Sequence, residues 1–228
     1  MRIVAISDTH YYPVKMDIPD GDILIHAGDL TGSGTFMEIS RAGQWLAGLP
    51  HKHKVVIAGN HDRLFEKDYN TARMAIGDGF NGVQYLQEQV TVIDDVVFYG
   101  APWSVEFNNW AFGLNRRSGS ERNAKTRWDR IPPGIDVLIT HGPPYRIMDA
   151  APNGYLLGSE DLRAKVEELK PRLHVFGHIH HSHGVQQLGD TLFVNAAVCD
   201  EQYEHTQEPI VLDYRKSGIM QIRTGGKP

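Results

Sequence analysis

Residues 1–10 read MRIVAISDTH, and this stretch decides the fold because a short apolar run passes directly into a polar signature. The run at 2–7 predicts a buried β-strand, since its apolar residues are continuous and partly β-branched. Asp8 and His10 follow where the chain leaves that strand. In open α/β sheets, binding sites form beyond the carboxyl ends of the strands. The stretch therefore predicts a sheet whose strand ends carry functional side chains.

The same pattern recurs at four further points along the chain. Strands are predicted at 23–26, 54–58, 137–140 and 173–176. Each is followed by a short polar set: Gly28-Asp29, Gly59-Asn60-His61-Asp62, His141-Gly142-Pro143-Pro144 and Gly177-His178-Ile179-His180. Similarly oriented strands would bring all five sets to one edge of a sheet, and the glycines allow the sharp turns that this requires.

The remaining segments predict an α/β layered fold. Helices are expected at 35–48 and 159–170, and further strands at 83–86, 90–93, 96–100, 192–195 and 210–214. Asp94 and Asp95 predict a hairpin turn, and 102–133 reads as a long irregular stretch. The short hairpin strands favour a mixed sheet, or two packed sheets with helices outside. With 228 residues and no linker, we expect one domain over 1–228.

Composition narrows the classes of function. The net charge is −5, which argues against a protein that grips long nucleic acid through a basic face. The single cysteine, Cys199, permits no intrachain disulfide and no cysteine-rich zinc site. The N-terminal apolar run is too short for a signal peptide, and no stretch approaches the roughly 18 apolar residues of a membrane span. A cytoplasmic location is the expectation.

The polar sets together form the ligand set of a metal centre. Two carboxylates, one amide oxygen and four imidazoles, without thiolates, suit Mn²⁺, Fe or Zn²⁺. Seven ligands exceed one tetrahedral site and fit two ions roughly 3.5–4 Å apart, which would share a water or hydroxide as nucleophile. Gly-Asp alone is a common turn, whereas Gly-Asn-His-Asp and Gly-His-x-His are more specific, and all five sets in this order, each after a strand, point to a metal site. The expected ligands are Asp8, His10, Asp29, Asn60, His141, His178 and His180.

Taken in order, the sets resemble the D-x-H, G-D, G-N-H-D, H and G-H-x-H pattern of the calcineurin-like metallophosphoesterase superfamily. The likeness covers nearly the whole chain. The segments 19–29, 53–62, 136–144, 171–180, 194–203 and 209–213 look like the metallophosphoesterase-domain-containing (MPPED) branch. The fold implied by this resemblance is a four-layer α/β/β/α sandwich of two mixed sheets flanked by helices.

The resemblance also implies roles for the ligands. One ion would be held by Asp8, His10, Asp29 and His180, and the other by Asp29, Asn60, His141 and His178, with Asp29 as the bridge. His61 would act on the substrate phosphate by stabilising charge or protonating the leaving oxygen, and Asp62 would orient it. Some animal members of the branch have Gly at the position of His178, so the intact ligand here favours turnover. The chain lacks the second acid and the arginine of the protein phosphatase motif after Asp29.

Substrate contacts are less sharply predicted. We expect Asn60 and His61 to meet the substrate phosphate, together with Arg116 and Arg117. The aromatic stretch from Trp103 to Trp128 either stacks a nucleobase above the metals or packs its loop onto the sheet, and packing is the favoured interpretation.

Three functions remain open from the sequence. The favoured one is a phosphodiesterase with two divalent metal ions, preferably Mn²⁺, acting on small nucleotide-like substrates that include cyclic nucleotides. A phosphomonoesterase or an end-processing nuclease is the alternative within the enzymes. A nucleotide-binding scaffold protein with weak catalysis is the alternative outside them. A homodimer is expected on frequency alone.

Overall fold

Two six-stranded sheets face each other in a computed structural model of the chain, which describes residues 1–10, 16–117, 119–215 and 221–224. The strands are β1 Arg2–Ile6, β2 Ile23–Ala27, β3 His53–Ile57, β4 Val83–Tyr85, β5 Gln89–Ile93, β6 Val96–Ala101, β7 Ser104–Val105, β8 Gly113–Leu114, β9 Val137–Thr140, β10 Leu173–Phe176, β11 Gly184–Leu188, β12 Thr191–Asn195, β13 Ile210–Asp213 and β14 Gln221–Thr224. The helices are α1 Phe36–Gly48, α2 Arg63–Lys67, α3 Tyr69–Ile76, α4 Ala124–Trp128 and α5 Glu160–Leu169, with a 3₁₀ turn at His180–Ser182.

Both sheets are mixed, with parallel strands at their centres. The first has the order β14-β13-β1-β2-β3-β4, in which β1 to β4 are parallel and β13 runs antiparallel to β1. The second has the order β11-β12-β10-β9-β6-β5, in which β12, β10, β9 and β6 are parallel. All five strands that precede the polar sets therefore belong to parallel regions.

Alternate residues of the central strands contribute to two separate hydrophobic cores. In β1, Ile3 and Ala5 join a cluster that contains residues of both sheets, so this cluster fills the space between them. Val4 and Ile6 join another cluster, which includes the buried residues of the flanking helices. A strand exposes successive side chains on opposite faces, and burial on both faces explains why the run at 2–7 is continuously apolar.

The predicted layered fold is confirmed, because two mixed sheets are flanked by helices in an α/β arrangement. Both predicted helices are present, and the predicted strands agree with the observed ones to within one or two residues. Asp94 and Asp95 have φ of 49° and 62°, the left-handed pair that a two-residue hairpin turn between β5 and β6 requires.

The prediction of an irregular stretch at 102–133 was wrong, since it contains β7, β8 and α4. The helices α2 and α3 were also missed. These elements have two to eight residues, which is too short for hydrophobic periodicity to reveal them. Within the described residues, no helix is long and apolar enough to cross a membrane. The division of the chain into one domain stays a prediction.

Candidate metal centre

The five polar sets meet where the carboxyl ends of the parallel strands of both sheets converge. Asp8 follows β1, and His178 follows β10 of the opposite sheet. The backbone N–H of His178 donates to the Asp8 carboxylate, 2.9 Å from Oδ2 and 3.2 Å from Oδ1. A bridge between Ser7 and Ala197 joins the sheets at the same point. The edge predicted from the sequence is thus built from both sheets.

Two groups of ligand atoms are close enough to hold metal ions. Asp8, His10 and His180 form one group, and Asp29, His141 and His178 form the other, with ligand atoms in each within 4.8 Å of one another. In the first, His180 Nε2 lies 3.4 Å from Asp8 Oδ1. In the second, His141 Nε2 lies 3.3 Å from Asp29 Oδ2.

Asp29 lies between the two groups. Its Oδ2 is 3.8 Å from His10 Nε2 in the first group as well as near His141 in the second. Its Oδ1 accepts a hydrogen bond of 2.8 Å from the backbone N–H of His61. A carboxylate with two oxygens in this position can reach both groups at once.

Asn60 and His61, from the set Gly59-Asn60-His61-Asp62, lie beside the same ligand groups. Asn60 Oδ1 lies 2.9 Å from His141 Nε2, so the amide oxygen is beside the second group. His61 forms a further grouping with His10 and Asp29 within 4.8 Å. The structure therefore brings together all seven expected ligands and His61.

Backbone carbonyls orient three of the imidazoles. Nδ1 of His141 lies 3.0 Å from the carbonyl oxygen of Ala27, and Nδ1 of His180 lies 2.8 Å from that of Asp200. His61 Nδ1 lies 2.8 Å from the carbonyl of Gly32. A carbonyl only accepts, so each of these Nδ1 atoms carries a proton. In His141 and His180 this leaves Nε2 for a metal ion, as in metal-binding histidines generally, and in His61 it directs Nε2 away from Gly32.

The close approach of the ligands requires glycine at neighbouring positions. A Cβ on Gly59 would overlap the Asp29 carboxylate and lie 2.7 Å from His141 Cε1. A Cβ on Gly177 would overlap the Asp8 carboxylate and the Ser7 side chain. Gly59 thus leaves room for the carboxylate of Asp29, and Gly177 leaves room for the carboxylate of Asp8.

Burial and mutual charge govern the protonation of the ligands. Burial lowers the pKa of His10 and of His178 to about 4. Burial has the same tendency at His141 and His180, but the charges of Asp29 and Asp8 raise the pKa of both to about 9. Burial opposes ionisation of the two aspartates, yet these histidines hold the pKa of both carboxyls below the usual range.

Asp62 connects the loop after β2 with the loop after β3 through hydrogen bonds. It does not orient His61, so that prediction was wrong. Its carboxylate accepts hydrogen bonds from the backbone N–H groups of Leu30, Thr31 and Gly59, and from Thr31 Oγ1. The group that orients the His61 ring is the Gly32 carbonyl described above. Burial and the charge of Asp29 raise the pKa of Asp62 to about 7.

A cavity of about 490 Å³ opens above the ligands. Its lining includes His10, Asp29, Asn60, His61, Phe107, Asn108, Trp110, Ala151, Pro152, His178, Ile179, His180, His181, Glu201 and Tyr203. Phe107, Trp110 and Tyr203 give the cavity an aromatic wall. Phe107 and Trp110 belong to the aromatic stretch from Trp103 to Trp128 that the sequence pointed to, whereas Tyr203 was not assigned. The Tyr203 ring lies edge-on to that of His10, with 4.7 Å between centroids.

Three residues expected at the substrate lie elsewhere. Trp103 is buried, and its indole N–H donates to Glu88 Oε1 at 3.1 Å. Arg116 pairs with Glu160 at 3.0 Å on the surface, and the backbone N–H of Arg117 donates to Asn115. None of the three is among the residues that line the cavity in the described part of the chain. Their contact with substrate stays a prediction.

The donor set fits divalent metal ions. Buried carboxylates and imidazoles converge with their ligand atoms facing one another, and His10 Nε2 lies only 3.3 Å from His180 Nε2. Two imidazole nitrogens this close are well placed to bind one cation. Oxygen and imidazole ligands without thiolates suit Mn, Fe or Zn. The fold and these clusters define a metal-binding protein of the α/β/β/α class.

Comparisons with known proteins identify the family. The calcineurin-like phosphoesterase model matches residues 1–182. The chain is 36% identical over 233 residues to human metallophosphoesterase domain-containing protein 1. This alignment covers 93% of the present chain and 70% of the human protein. TT1561 of Thermus thermophilus superposes with a TM-score of 0.64 at 12% identity, covering 98% of each chain. An archaeal phosphodiesterase gives 0.53 at 14%, covering 98% of this chain and 99% of that one.

The chain belongs to the calcineurin-like phosphoesterase family, as its motifs predicted. Membership implies a metal-dependent phosphoester hydrolase, and the carboxylate and histidine clusters are groups that could hold its metal ions.

Proposed function

We propose that the protein is a phosphodiesterase that uses two divalent metal ions to hydrolyse small, nucleotide-like phosphodiesters, cyclic nucleotides included. The observation that carries this is the position of Asp29, whose Oδ2 lies 3.8 Å from a histidine of one ligand group and 3.3 Å from a histidine of the other. Divalent ions held there would supply a nucleophile from water at neutral pH and stabilise the charge on the phosphate.

The protein's own residues would bind the phosphate and handle the proton. Asn60 faces His141 through Oδ1 and lines the cavity, so its amide N–H₂ is available to a phosphate oxygen. His61 lines the same cavity with Nδ1 held by Gly32. A proton on its Nε2 would pass to the leaving oxygen as the phosphorus–oxygen bond breaks.

The size of the cavity and the charge of the chain support a small substrate. About 490 Å³ matches the range of small-molecule sites. The net charge of −5 disfavours long nucleic acid, whose binding depends on neutralising phosphates. Mn²⁺ is the proposed metal, with Fe or Zn²⁺ as alternatives of the same ligand preference. A homodimer and a cytoplasmic location remain predictions.

The test is hydrolysis of bis-p-nitrophenyl phosphate by metal-stripped protein with and without added Mn²⁺. An aryl monoester and a single-stranded oligonucleotide are compared under the same conditions. We expect diester hydrolysis that requires metal and falls by at least about 100-fold in Asp29→Ala and His178→Ala. Faster monoester hydrolysis would favour the phosphomonoesterase, and faster oligonucleotide cleavage the nuclease. Tight nucleotide binding without turnover in folded, metal-loaded protein would favour the scaffold protein.

A further inference from the structure

The imidazole of His61 lies against an aromatic partner that the motif does not contain. Trp110 stacks on the His61 ring with 4.2 Å between centroids and an interplanar angle of 29°. The His10 ring meets His61 edge-on at 4.5 Å. The Gly32 carbonyl contacts Nδ1 of the same ring. The His61 ring is therefore held on one face by the stacked indole and at one edge by the hydrogen bond.

A tight turn presents Trp110 to the cavity. Asn108 and Asn109 have φ of 45° and 60°, and the backbone N–H of Trp110 donates to the carbonyl of Phe107 at 3.1 Å. Two successive left-handed residues are typical of a type I′ turn, and asparagine tolerates that conformation well. The turn therefore fixes where the indole emerges.

Three contacts tie this loop to the segment that carries His61. The Arg63 guanidinium lies 4.3 Å from the centroid of the Trp110 ring, a cation–π contact. The backbone N–H of Ala111 donates to the carbonyl of Asn60 at 3.3 Å. The backbone N–H of Phe112 donates to Glu66 Oε1 at 2.9 Å. The indole and the imidazole are thus mounted on one connected unit.

We propose that Trp110 is a positioning residue, which holds the His61 imidazole so that Nε2 points at the leaving oxygen of the substrate. This inference rests on the proposed function, because it assumes that His61 protonates that oxygen. In the step, the phosphorus–oxygen bond breaks and its electron pair stays on the leaving oxygen. The proton on Nε2 passes to that oxygen, and the neutral imidazole keeps the proton on Nδ1 that faces Gly32.

Leaving-group dependence separates positioning from a merely structural role. Diphenyl phosphate releases a more basic oxygen than bis-p-nitrophenyl phosphate, so its cleavage depends more on proton donation. In Trp110→Ala we expect kcat on diphenyl phosphate to fall about 10- to 100-fold, and kcat on bis-p-nitrophenyl phosphate to fall less than about threefold. Trp110→Phe, which keeps a stacking ring, should recover most of the loss.

Two further variants complete the test. In His61→Ala background, adding Trp110→Ala should cause no further loss, because residues that act as a unit are non-additive. Phe107→Ala removes a ring from the same cavity wall without removing the stack on His61, and should affect both substrates by a similar factor. The proposal would be overturned if Trp110→Ala lowered kcat on both substrates by the same factor. It would also be overturned if the loss of kcat caused by Trp110→Ala added fully to the loss caused by His61→Ala.

A spectroscopic measurement does not depend on turnover. The Cε1–H proton of His61 should carry a ring-current shift that Trp110→Leu removes and Phe107→Leu leaves in place. Absence of that shift in the folded wild-type protein would contradict the stacking. A wild-type protein that hydrolyses neither diester despite the shift would instead refute the proposed function.

Discussion

Four residues of the metal centre adopt a backbone conformation that side chains rarely take. Asp8, His10, Asp29 and His178 have φ between 44° and 69°. Such residues cost of order 1–3 kcal/mol each and persist only where the surroundings hold them. Each lies two to four residues beyond the end of a strand, where the chain turns and brings a carboxylate or imidazole to the common centre. The strain is thus concentrated on the groups that would bind metal.

The space left by Gly177 is expected to be essential for metal binding. In Gly177→Ala the new Cβ would meet the Asp8 carboxylate and Ser7, so the ligand must move. We expect weaker Mn²⁺ binding and a loss of about 1–3 kcal/mol in the free energy of unfolding. Metal titration and denaturant unfolding measure the two effects. Gly48→Ala is the control, since Gly48 is the last residue of α1 and nothing lies within 4 Å of an added Cβ. This variant should bind Mn²⁺ with the affinity of the wild-type protein.

The stability of metal-free protein should fall between pH 6.5 and about pH 9. The pKa of His141 and His180 is raised from 6.5 to about 9, so their protonation stabilises the folded state fully below 6.5 and is lost as pH rises through 9. His10 and His178, whose pKa is lowered to about 4, are already neutral in the folded protein throughout this window, and in the unfolded chain they lose their protons near its lower end, so they do not oppose the trend over the rest of it. Thermal unfolding in a chelator across these pH values measures it. A melting temperature that rises through the window would contradict the assignment.

The convergence of the expected ligands on one place was predictable from the sequence, whereas the choice of aromatic residues that line the cavity was not. Asp29 and His141 each follow a strand directly, and strand ends are visible as breaks in an apolar run. Trp110 and Tyr203 reach the cavity from loops, and their positions depend on tertiary contacts such as the Arg63 guanidinium over the indole. Trp103, for which stacking on a nucleobase and packing onto the sheet were both open, is buried, with its indole N–H donated to Glu88. Nothing local in the sequence distinguishes these tryptophans.

At the scale of elements, apolar strands and the two long helices were predictable, whereas the short helices α2, α3 and α4 and the two-residue strands β7 and β8 were not. The helix α1 was visible because its apolar spacing runs for 13 residues and its N-terminus has a capping box, in which Thr35 and Glu38 satisfy each other's backbone N–H groups. The five-residue helix α2 has no such length, and its N-cap, Asp62, makes no side-chain cap because its carboxylate is engaged with the motif loops. The tertiary hydrogen bonds of Asp62 thus take the place of the N-cap hydrogen bond that its side chain would otherwise make to α2.

The capping box of α1 is expected to contribute to stability without affecting the site. In Thr35→Ala the Glu38 backbone N–H loses its side-chain acceptor at 3.3 Å. We expect a loss of about 1 kcal/mol in the free energy of unfolding, because N-cap substitutions by alanine typically cost this much. Denaturant unfolding measures it, and Thr35→Ser should restore most of the stability. A change in metal affinity larger than twofold would show that the helix start is coupled to the centre.

At the scale of the whole molecule, the candidate metal centre takes its residues from both sheets. Asp8 and Asp29 come from the first sheet, and His141, His178 and His180 come from the second. An ion that binds both sides stabilises the folded state by mass action, since the unfolded chain lacks the preformed site. The same arrangement accounts for motifs that lie about 170 residues apart in sequence, as Asp8 and His178 do, yet share a hydrogen bond. We therefore expect bound metal to raise the melting temperature.

The number of metal ions per chain tests the central claim most directly. Metal-stripped protein is loaded with Mn²⁺, freed of excess by gel filtration, and its metal content is measured by mass spectrometry beside Asp29→Ala. We expect two ions per wild-type chain and fewer than one per chain of the variant, because Asp29 is the carboxylate that reaches both ligand groups. One ion or none in folded wild-type protein, or two ions retained by Asp29→Ala, would contradict a centre in which two ions share this carboxylate.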